Sequence, residues 1–342
     1  MLTLGIETSC DETSFAILKG ERKVLSNVVV SSLKEHKEFG GVVPEIASRA
    51  HLETLLACLK LSLKKAKVSL KQIDLIAVTR GPGLMGSLLV GLSSAKALSM
   101  ALKKPLVGVD HVIAHVYSGM MSDPKLKFPF LGLAVSGGHT LLIEMKSPSR
   151  YEILGRTIDD AAGEAFDKVA KMLGLGYPGG PEIDRLSRGE DTNKFFFTRP
   201  ILTQDSLDFS FSGIKTAVFY KVENLKKNKP LSLRDKKALC AGFQESVCDV
   251  LVQKSVRAAK TRKLKAIVVG GGVSANSRLR ALFTKAGRQE NLKIVFPDMS
   301  FCQDNAAMIA GLGAALHREG RQKDGLELSA YSDFNRRDRR GN

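Results

Sequence analysis

Phe130-Leu-Gly-Leu-Ala-Val, Ser136-Gly-Gly-His-Thr, Leu141-Leu-Ile-Glu-Met: an apolar run, a glycine turn and a second apolar run spell two strands folded back as a hairpin. The N-terminus repeats the device. Leu2-Thr-Leu-Gly-Ile leads into the polar turn Glu7-Thr-Ser-Cys-Asp-Glu-Thr-Ser and out along Phe15-Ala-Ile-Leu. Each hairpin is followed by the same series. In the first half Leu75-Ile-Ala-Val runs through the turn Thr79-Arg-Gly-Pro-Gly-Leu-Met-Gly into a helix ending near Leu102, and a short strand follows at Pro105-Leu-Val-Gly-Val. The second half answers with Ala266-Ile-Val-Val, the turn Gly270-Gly-Gly-Val-Ser-Ala-Asn, a helix from Ser277 to about Ala286, and the strand Lys293-Ile-Val-Phe. Recurrence in one order predicts an internal duplication: an α/β chain of two lobes, each a mixed sheet faced by helices.

Bulk composition agrees. With 342 residues, 44% apolar and 25% charged, the chain is long and apolar enough for two cores and shows no sign of disorder. We expect lobe I over 1–110, lobe II over 111–302, a C-terminal helix at about 303–330 packing back on lobe I, and a basic tail at 331–342. The formal charge of +17 suits a polyanionic partner such as nucleic acid, and equally a merely basic soluble protein. Cys10, Cys58, Cys240, Cys248 and Cys302 form no CxxC pair, which argues for a reducing compartment. Met1 to Gly5 carries no basic leader, and the apolar stretch Leu84 to Leu102 is broken by Ser87, Ser93, Ser94 and Lys96. The expectation is a cytoplasmic protein without membrane spans.

Two groups of residues carry chemistry. His111 and His115 lie four apart behind the strand at Pro105, so a helix would bring both imidazoles to one face, close enough to share an ion. Two core histidines would show the same spacing. Asp304 stands near the start of the counterpart helix in the other half, so that two halves would supply three ligands; a helix N-cap is the competing reading. Two imidazoles and a carboxylate suit one Fe(II) or Zn(II) with open positions. The stretch His-Val-Ile-Ala-His has Val112 where a zinc protease carries its general base, so peptide hydrolysis loses its main support.

The second group is a nucleotide cradle. The Ser136, Gly137, Gly138 turn offers backbone N–H groups to an anion, and the Gly270 turn with Asn276 offers a flat surface and an amide to a purine; tight strand turns look alike. Between them lie Ile158-Asp-Asp-Ala-Ala-Gly-Glu-Ala-Phe-Asp-Lys and Tyr177-Pro-Gly-Gly-Pro-Glu-Ile-Asp. Asp167 and Asp184 are the carboxylates we favour for ribose hydroxyls, with Asp159 and Asp160 read as helix-capping acids.

These motifs resemble a known family. Gly5-Ile-Glu-Thr-Ser-Cys-Asp-Glu-Thr, Gly40-Gly-Val-Val-Pro-Glu-Ile-Ala-Ser-Arg, Gly81-Pro-Gly-Leu, the histidine pair, Val135-Ser-Gly-Gly-His-Thr, Asp159 to Lys168, Tyr177 to Pro181, Asp208-Phe-Ser-Phe-Ser-Gly-Ile-Lys-Thr and Gly270 to Asn276 are similar, in order, to the bacterial TsaD-type tRNA N6-adenosine threonylcarbamoyltransferases, the former glycoprotease family. The likeness runs from Met1 to about His317. It implies a duplicated actin/Hsp70/sugar-kinase-like two-lobed fold. The implied activity transfers the threonylcarbamoyl group from threonylcarbamoyl-AMP to N6 of the adenosine beside the anticodon in ANN-decoding tRNAs. It also implies that His111, His115 and Asp304 hold the metal, that Ser136, Gly137, Gly138, Asp167, Gly180, Asp184 and Asn276 hold the adenylate, and that a small non-catalytic paralogue (TsaB type) and a P-loop ATPase (TsaE type) are partners.

Asp11, Glu12 and His139, on the two hairpin turns, are candidates for removing the amine proton, with salt-bridged or capping roles as the alternative. The chain departs from the family at Ile113, where relatives often carry an acid, and in its ending. There the arginine-rich stretch after Tyr331 replaces an Arg-Trp-Pro-Leu tail and suits phosphate contact or a frayed terminus equally. Two rival functions use the same fold: a small-molecule kinase or ATPase, which would hold Mg²⁺ on carboxylates, and a tRNA-binding scaffold without turnover.

Overall fold

The computed structural model describes residues 1–200, 205–227, 230–320 and 324–333. The elements in chain order are β1 (Leu2–Glu7), β2 (Glu12–Lys19), β3 (Lys23–Ser31), α1 (Leu33–His36), α2 (Pro44–Ala66), β4 (Leu75–Gly81), α3 (Met85–Leu102), β5 (Leu106–Asp110) and α4 (His111–Ser122). Then come β6 (Phe130–Val135), β7 (Thr140–Met145), β8 (Tyr151–Arg156), α5 (Ala162–Leu173), α6 (Gly179–Ser187), α7 (Ser212–Lys226) and α8 (Leu233–Thr261). The chain closes with β9 (Ala266–Gly270), α9 (Ser277–Glu290), β10 (Lys293–Val295), α10 (Met299–Cys302) and α11 (Ala306–Arg318).

Two compact units result. Unit 1 comprises Met1–Leu126 and Pro297–Asn342, and unit 2 comprises Lys127–Phe296. Their sheets have one topology. Unit 1 orders its strands β3-β2-β1-β4-β5 and unit 2 orders its strands β8-β7-β6-β9-β10, reading the second sheet from its other edge. In each, the hairpin is antiparallel and the later strands run parallel to its first strand. The duplication is therefore real, and fuller than expected. Each hairpin carries a third antiparallel strand, β3 or β8, that the sequence reading did not identify; these are edge strands whose half-exposed faces weaken the apolar signal.

The expected lobe boundaries are corrected. The division falls after Leu126, not after residue 110, and the return begins at Pro297 rather than at 303. Helix α4 stays in unit 1 because every residue from His111 to Met121 is buried and the helix packs against α11, itself buried from Ala306 to Leu316. Helices buried all round belong inside a core and not at its margin. Helix α11 also lies on β1 at a distance that only glycine permits, since a Cβ on Gly5 would stand 2.2 Å from the Ala306 carbonyl oxygen. The segment after α11 is tied down as well. Asp324 Oδ2 accepts the Gly108 N–H at 2.7 Å, Leu328 joins the core, and Tyr331 Oη donates to Asp110 Oδ2 at 2.5 Å. Tyr331 is thus not the start of a free tail, and the arginine run from Arg336 lies outside the described residues.

Unit 1 centres on Leu4, Ile6, Phe15, Ile76 and Val78, sandwiched by helices. Unit 2 centres on Leu133, Phe166, Phe243, Val247 and Phe283. The five cysteines are not joined in disulfides.

Candidate functional site

In unit 1, β1, β5, α4 and α11 converge on a buried polar cluster. Asp110 caps α4 by accepting the Ile113 N–H at 2.9 Å, which starts the helix at His111 and places His115 one turn on, on the same face. Asn305 caps α11 by accepting the Met308 N–H at 3.1 Å. Asp304, one residue earlier, is therefore left out of the helix cap, so the competing reading of it falls to its neighbour. His115 Nε2 lies 3.0 Å and His111 Nε2 3.4 Å from the same oxygen, Asp304 Oδ1. One ligand atom from each of the three residues lies within 4.8 Å of the others. The two rings stand edge to face with centroids 4.7 Å apart, both nearly excluded from water.

One expectation is corrected here. The three residues were predicted to come from both halves of the duplication, and they do come from the helices after β5 and after β10, but both helices belong to unit 1. Asp304 also does not occupy the place of His111. His111 is the first helical residue after its strand, whereas Asp304 follows the extra turn α10 and precedes its helix.

A residue absent from the sequence reading completes the cluster. Glu7, at the end of β1 and fully buried, places Oε2 3.0 Å from His111 Nδ1 and accepts from Thr79 Oγ1 and the Ser9 N–H, each at 2.5 Å. A carboxylate behind an imidazole fixes the tautomer so that Nε2 points at the ligand position. His115 has no such backing, and its buried Nδ1 finds no partner among the described residues. Ile113 is buried.

The electrostatics follow from this crowding. Burial disfavours charge on His111, but the Asp304 and Glu7 carboxylates outweigh it and hold the imidazole well above its ordinary 6.5. Burial likewise pushes Asp304 up, and His111 and His115 more than reverse it, leaving the carboxyl well below 3.8. Glu7 is lowered for the same reason, with His111 overcoming burial. Glu12, at the start of β2, has no cation to offset its burial; burial, then the charges of Asp304 and Asp11, raise it to about 9. Two nitrogens that share protons with one carboxylate oxygen, backed by a second carboxylate, fit a single divalent ion: the donor types suit Fe(II) or Zn(II), and an ion would replace the protons.

Unit 2 holds the second group. Ser136 and His139 close a tight turn, the Ser136 N–H donating to the His139 carbonyl at 2.9 Å and the His139 N–H to Ser136 Oγ at 3.2 Å. Gly137 and Gly138 are exposed at its tip, and a Cβ on either would meet nothing, so their bareness answers to no packing within the chain. Helix α5 docks its N-terminus here, with the Gly163 N–H on the Ser136 carbonyl at 3.1 Å and the Ala162 N–H on Thr140 Oγ1 at 2.9 Å. Asp167 accepts the Gly179 N–H at 2.7 Å at the start of α6, beside the open Gly180; burial raises its pKa against that bond. Asp184 accepts from the Ser277 N–H at 3.1 Å and Oγ at 2.7 Å, and Asn276 caps α9 at the Leu279 N–H, 3.0 Å. Ser136, Asp167 and Asp184 therefore tie the β6-β7 turn to α5, α5 to α6 and α6 to α9, whose start Asn276 caps, while Gly137, Gly138 and Gly180 stay open beside them. An open cavity of about 600 Å³ between α8 and α9 is lined by none of them.

Asp159 and Asp160 take other roles than capping α5. Asp159 accepts from Ser210 Oγ at 2.5 Å, the Phe211 N–H at 2.8 Å and Ser212 Oγ at 2.7 Å, holding the start of α7. Asp160 pairs with Lys168 at 2.6 Å and Lys215 at 2.5 Å. Of the proton-acceptor candidates, Asp11 and Glu12 lie in unit 1 and His139 in unit 2.

The sequence model of the TsaD family, tRNA N6-adenosine threonylcarbamoyltransferase, matches residues 23–311. The chain belongs to this family. Among proteins bearing that name, the one from Thermosipho africanus is 53% identical over 325 residues, covering 95% of this chain and 97% of the relative. That from Dictyoglomus turgidum is 49% identical over 336 residues, covering 98% of each. This family member is accordingly a transferase, and the kinase, ATPase and scaffold alternatives are set aside. Solved structures support the two-lobed actin-like fold. T. kodakarensis HypF aligns over 96% of this chain and 49% of its own at 16% identity with a TM-score of 0.63. Component A of the Acidaminococcus fermentans (R)-2-hydroxyglutaryl-CoA dehydratase aligns over 94% of this chain and 100% of its own, at 16% identity and TM-score 0.55.

Proposed function

We propose that this chain transfers the threonylcarbamoyl group from threonylcarbamoyl-AMP to N6 of the adenosine beside the anticodon in ANN-decoding tRNAs, forming t6A. The observation that carries the reading, beside membership of the family, is the convergence of His111, His115 and Asp304 on one point with Glu7 behind it. The adenylate is a mixed carbamic-phosphoric anhydride with a good leaving group. The reaction forms the bond from N6 to the carbonyl carbon, breaks the bond from that carbon to the AMP oxygen, and moves one proton off the amine. A bound Fe(II) or Zn(II) would supply Lewis acidity toward a substrate oxygen. The protein's own groups do the rest. The turn Ser136 to Gly138 would offer the phosphate the backbone N–H groups of its glycines, Asp167 and Asp184 would accept the ribose hydroxyls, Gly180 would leave room beside them, and Asn276 would border the purine. Asp11 and His139 are the groups proposed to take the proton; Glu12, the third candidate, is raised to about 9 and so already holds a proton near neutral pH.

The partners proposed are tRNA, a TsaB-type paralogue and a TsaE-type ATPase. Unit 1 exposes Leu52 and Leu56 on α2 and Met85 and Leu89 on α3, an aliphatic face that a protein partner would cover. Helix α3 is the one described helix long and apolar enough to cross a membrane by length and composition; it packs on α2, β4 and β5 within unit 1, which supports a partner face. The free cysteines support a cytoplasmic location. The test supplies the chain and both partner proteins with threonylcarbamoyl-AMP and unmodified tRNA, followed by digestion and nucleoside mass analysis. A threonylcarbamoyl mass gain on adenosine is expected; none would overturn the proposal.

A further inference from the structure

We infer that the surface around Phe196 and Tyr220 in unit 2 is a stacking platform for unpaired bases of the tRNA loop, an inference that rests on tRNA being the substrate. The chain reads Lys194-Phe-Phe-Phe-Thr-Arg199, and the three phenylalanines part ways: Phe197 is in the core at 5% exposure, while Phe196 stands out at 68%. On α7, Tyr220 is also 68% exposed and Phe219 43%. Elsewhere unit 2 buries its aromatics, Phe166, Phe209, Phe211, Phe243 and Phe283 among them, so an aromatic left in water on two adjacent elements is a departure within this molecule.

The two elements are neighbours. Lys221 of α7 sets its ammonium 4.9 Å from the Phe195 ring centre, and at the other end of the contact a Cβ on Gly213 would lie 3.8 Å from Pro200. The strip Phe195 to Pro200 therefore runs antiparallel alongside α7. Phe195 and Phe196 each carry a cation. Lys194 lies 5.6 Å from the Phe195 centre, and the Arg199 guanidinium lies 4.8 Å from the Phe196 centre, anchored from behind by Asp249. Helix α7 has Lys215, Lys221 and Lys226 against the single acid Glu223.

Rings interleaved with cations are what unpaired nucleotides require: a flat π-surface for a base, tolerant of sequence, and positive charge for the phosphates on either side. The lysines separate the two kinds of partner: the centre of a protein-covered patch is depleted in lysine, whereas Lys194 and Lys221 sit directly on the Phe195 ring. The adenosine beside an anticodon lies in a single-stranded loop, where neighbouring bases are free to be splayed onto such a surface.

The test uses the full chain with its partner proteins. In a Phe196→Ala/Tyr220→Ala variant, KM for unmodified tRNA should rise about tenfold or more and tRNA affinity should fall to match, with the slope of log affinity against log salt unchanged. A Phe196→Tyr/Tyr220→Phe variant should keep both values. Lys194→Ala/Lys221→Ala should instead flatten the salt slope by about one to two. Binding of AMP and the melting temperature report the fold in each variant. Unchanged tRNA affinity in the alanine variant would overturn the inference, and so would loss of partner-protein association with tRNA affinity kept. Wild-type chain that binds tRNA but adds no threonylcarbamoyl group would count against the proposed reaction and not against this surface.

Discussion

Glu7 is wholly buried, with one oxygen on Thr79 and His111 and the other on the Ser9 N–H, so every bond it makes sets the direction of an imidazole. Replacing Glu7 by Gln keeps the shape and removes the charge; metal affinity should fall about 10- to 100-fold with the fold intact, measured by competition with a chromophoric chelator. His111→Ala removes a ligand itself and should abolish both metal retention and transfer; full activity in that variant would refute the assignment. The cluster also sets a pH dependence. His111 is raised in the folded chain, so its contribution is complete below 6.5 and is lost as pH rises through its folded value. Glu7 and Asp304 are lowered, so theirs is present above 4.5 and 3.8 and is lost as pH falls through the folded values. Chelator-treated protein should therefore gain most from this cluster between about pH 4.5 and 6.5. Metal binding needs neutral imidazoles and should release protons, so the stabilisation by added metal should grow with pH across the same range in thermal melts. The spacing of His111 and His115 made the pair legible in the sequence. Glu7 was not, because it shares a polar turn with Asp11 and Glu12 and only the register of β1 decides which carboxylate turns inward.

Helix α11 brings Asp304 to the histidines, and its seat on the sheet depends on two glycine contacts, Gly5 of β1 against the Ala306 carbonyl and Gly313 of α11 against the Ala77 methyl group of β4. Gly5→Ala puts a methyl group 2.2 Å from a backbone oxygen that cannot rotate away. We expect a destabilisation of about 1–3 kcal/mol by denaturant titration and weakened metal retention, because the helix must move and Asp304 with it. A variant as stable as wild type would show that the helix has room to shift. At this scale the sequence was read well where strands are buried on both faces and glycine turns mark the helix starts, as for β4, α3 and α9. It was read poorly at β3 and β8. Those edge strands owe their pairing to the hairpins beside them, and their own residues carry little of the signal.

Across the whole molecule, a charge of +17 acts at long range, so association with tRNA should be steeply salt-dependent, falling roughly tenfold or more between 50 and 200 mM salt. A flat response would mean that the excess charge serves solubility alone. The duplication, the α/β class and the three residues proposed as metal ligands were all present in the order of motifs, because hydrophobic periodicity, glycine turns and helix caps are local properties of the chain. Which unit owns those ligands was decided by packing. Helices α4 and α11 are buried nearly all round and pack against each other and one sheet, so they drew the chain across the expected boundary and put both histidines and Asp304 in the same unit. The inward turn of Glu7 and the outward turn of Phe196 are likewise tertiary facts, since burial is a property of the assembled neighbours and not of the residue.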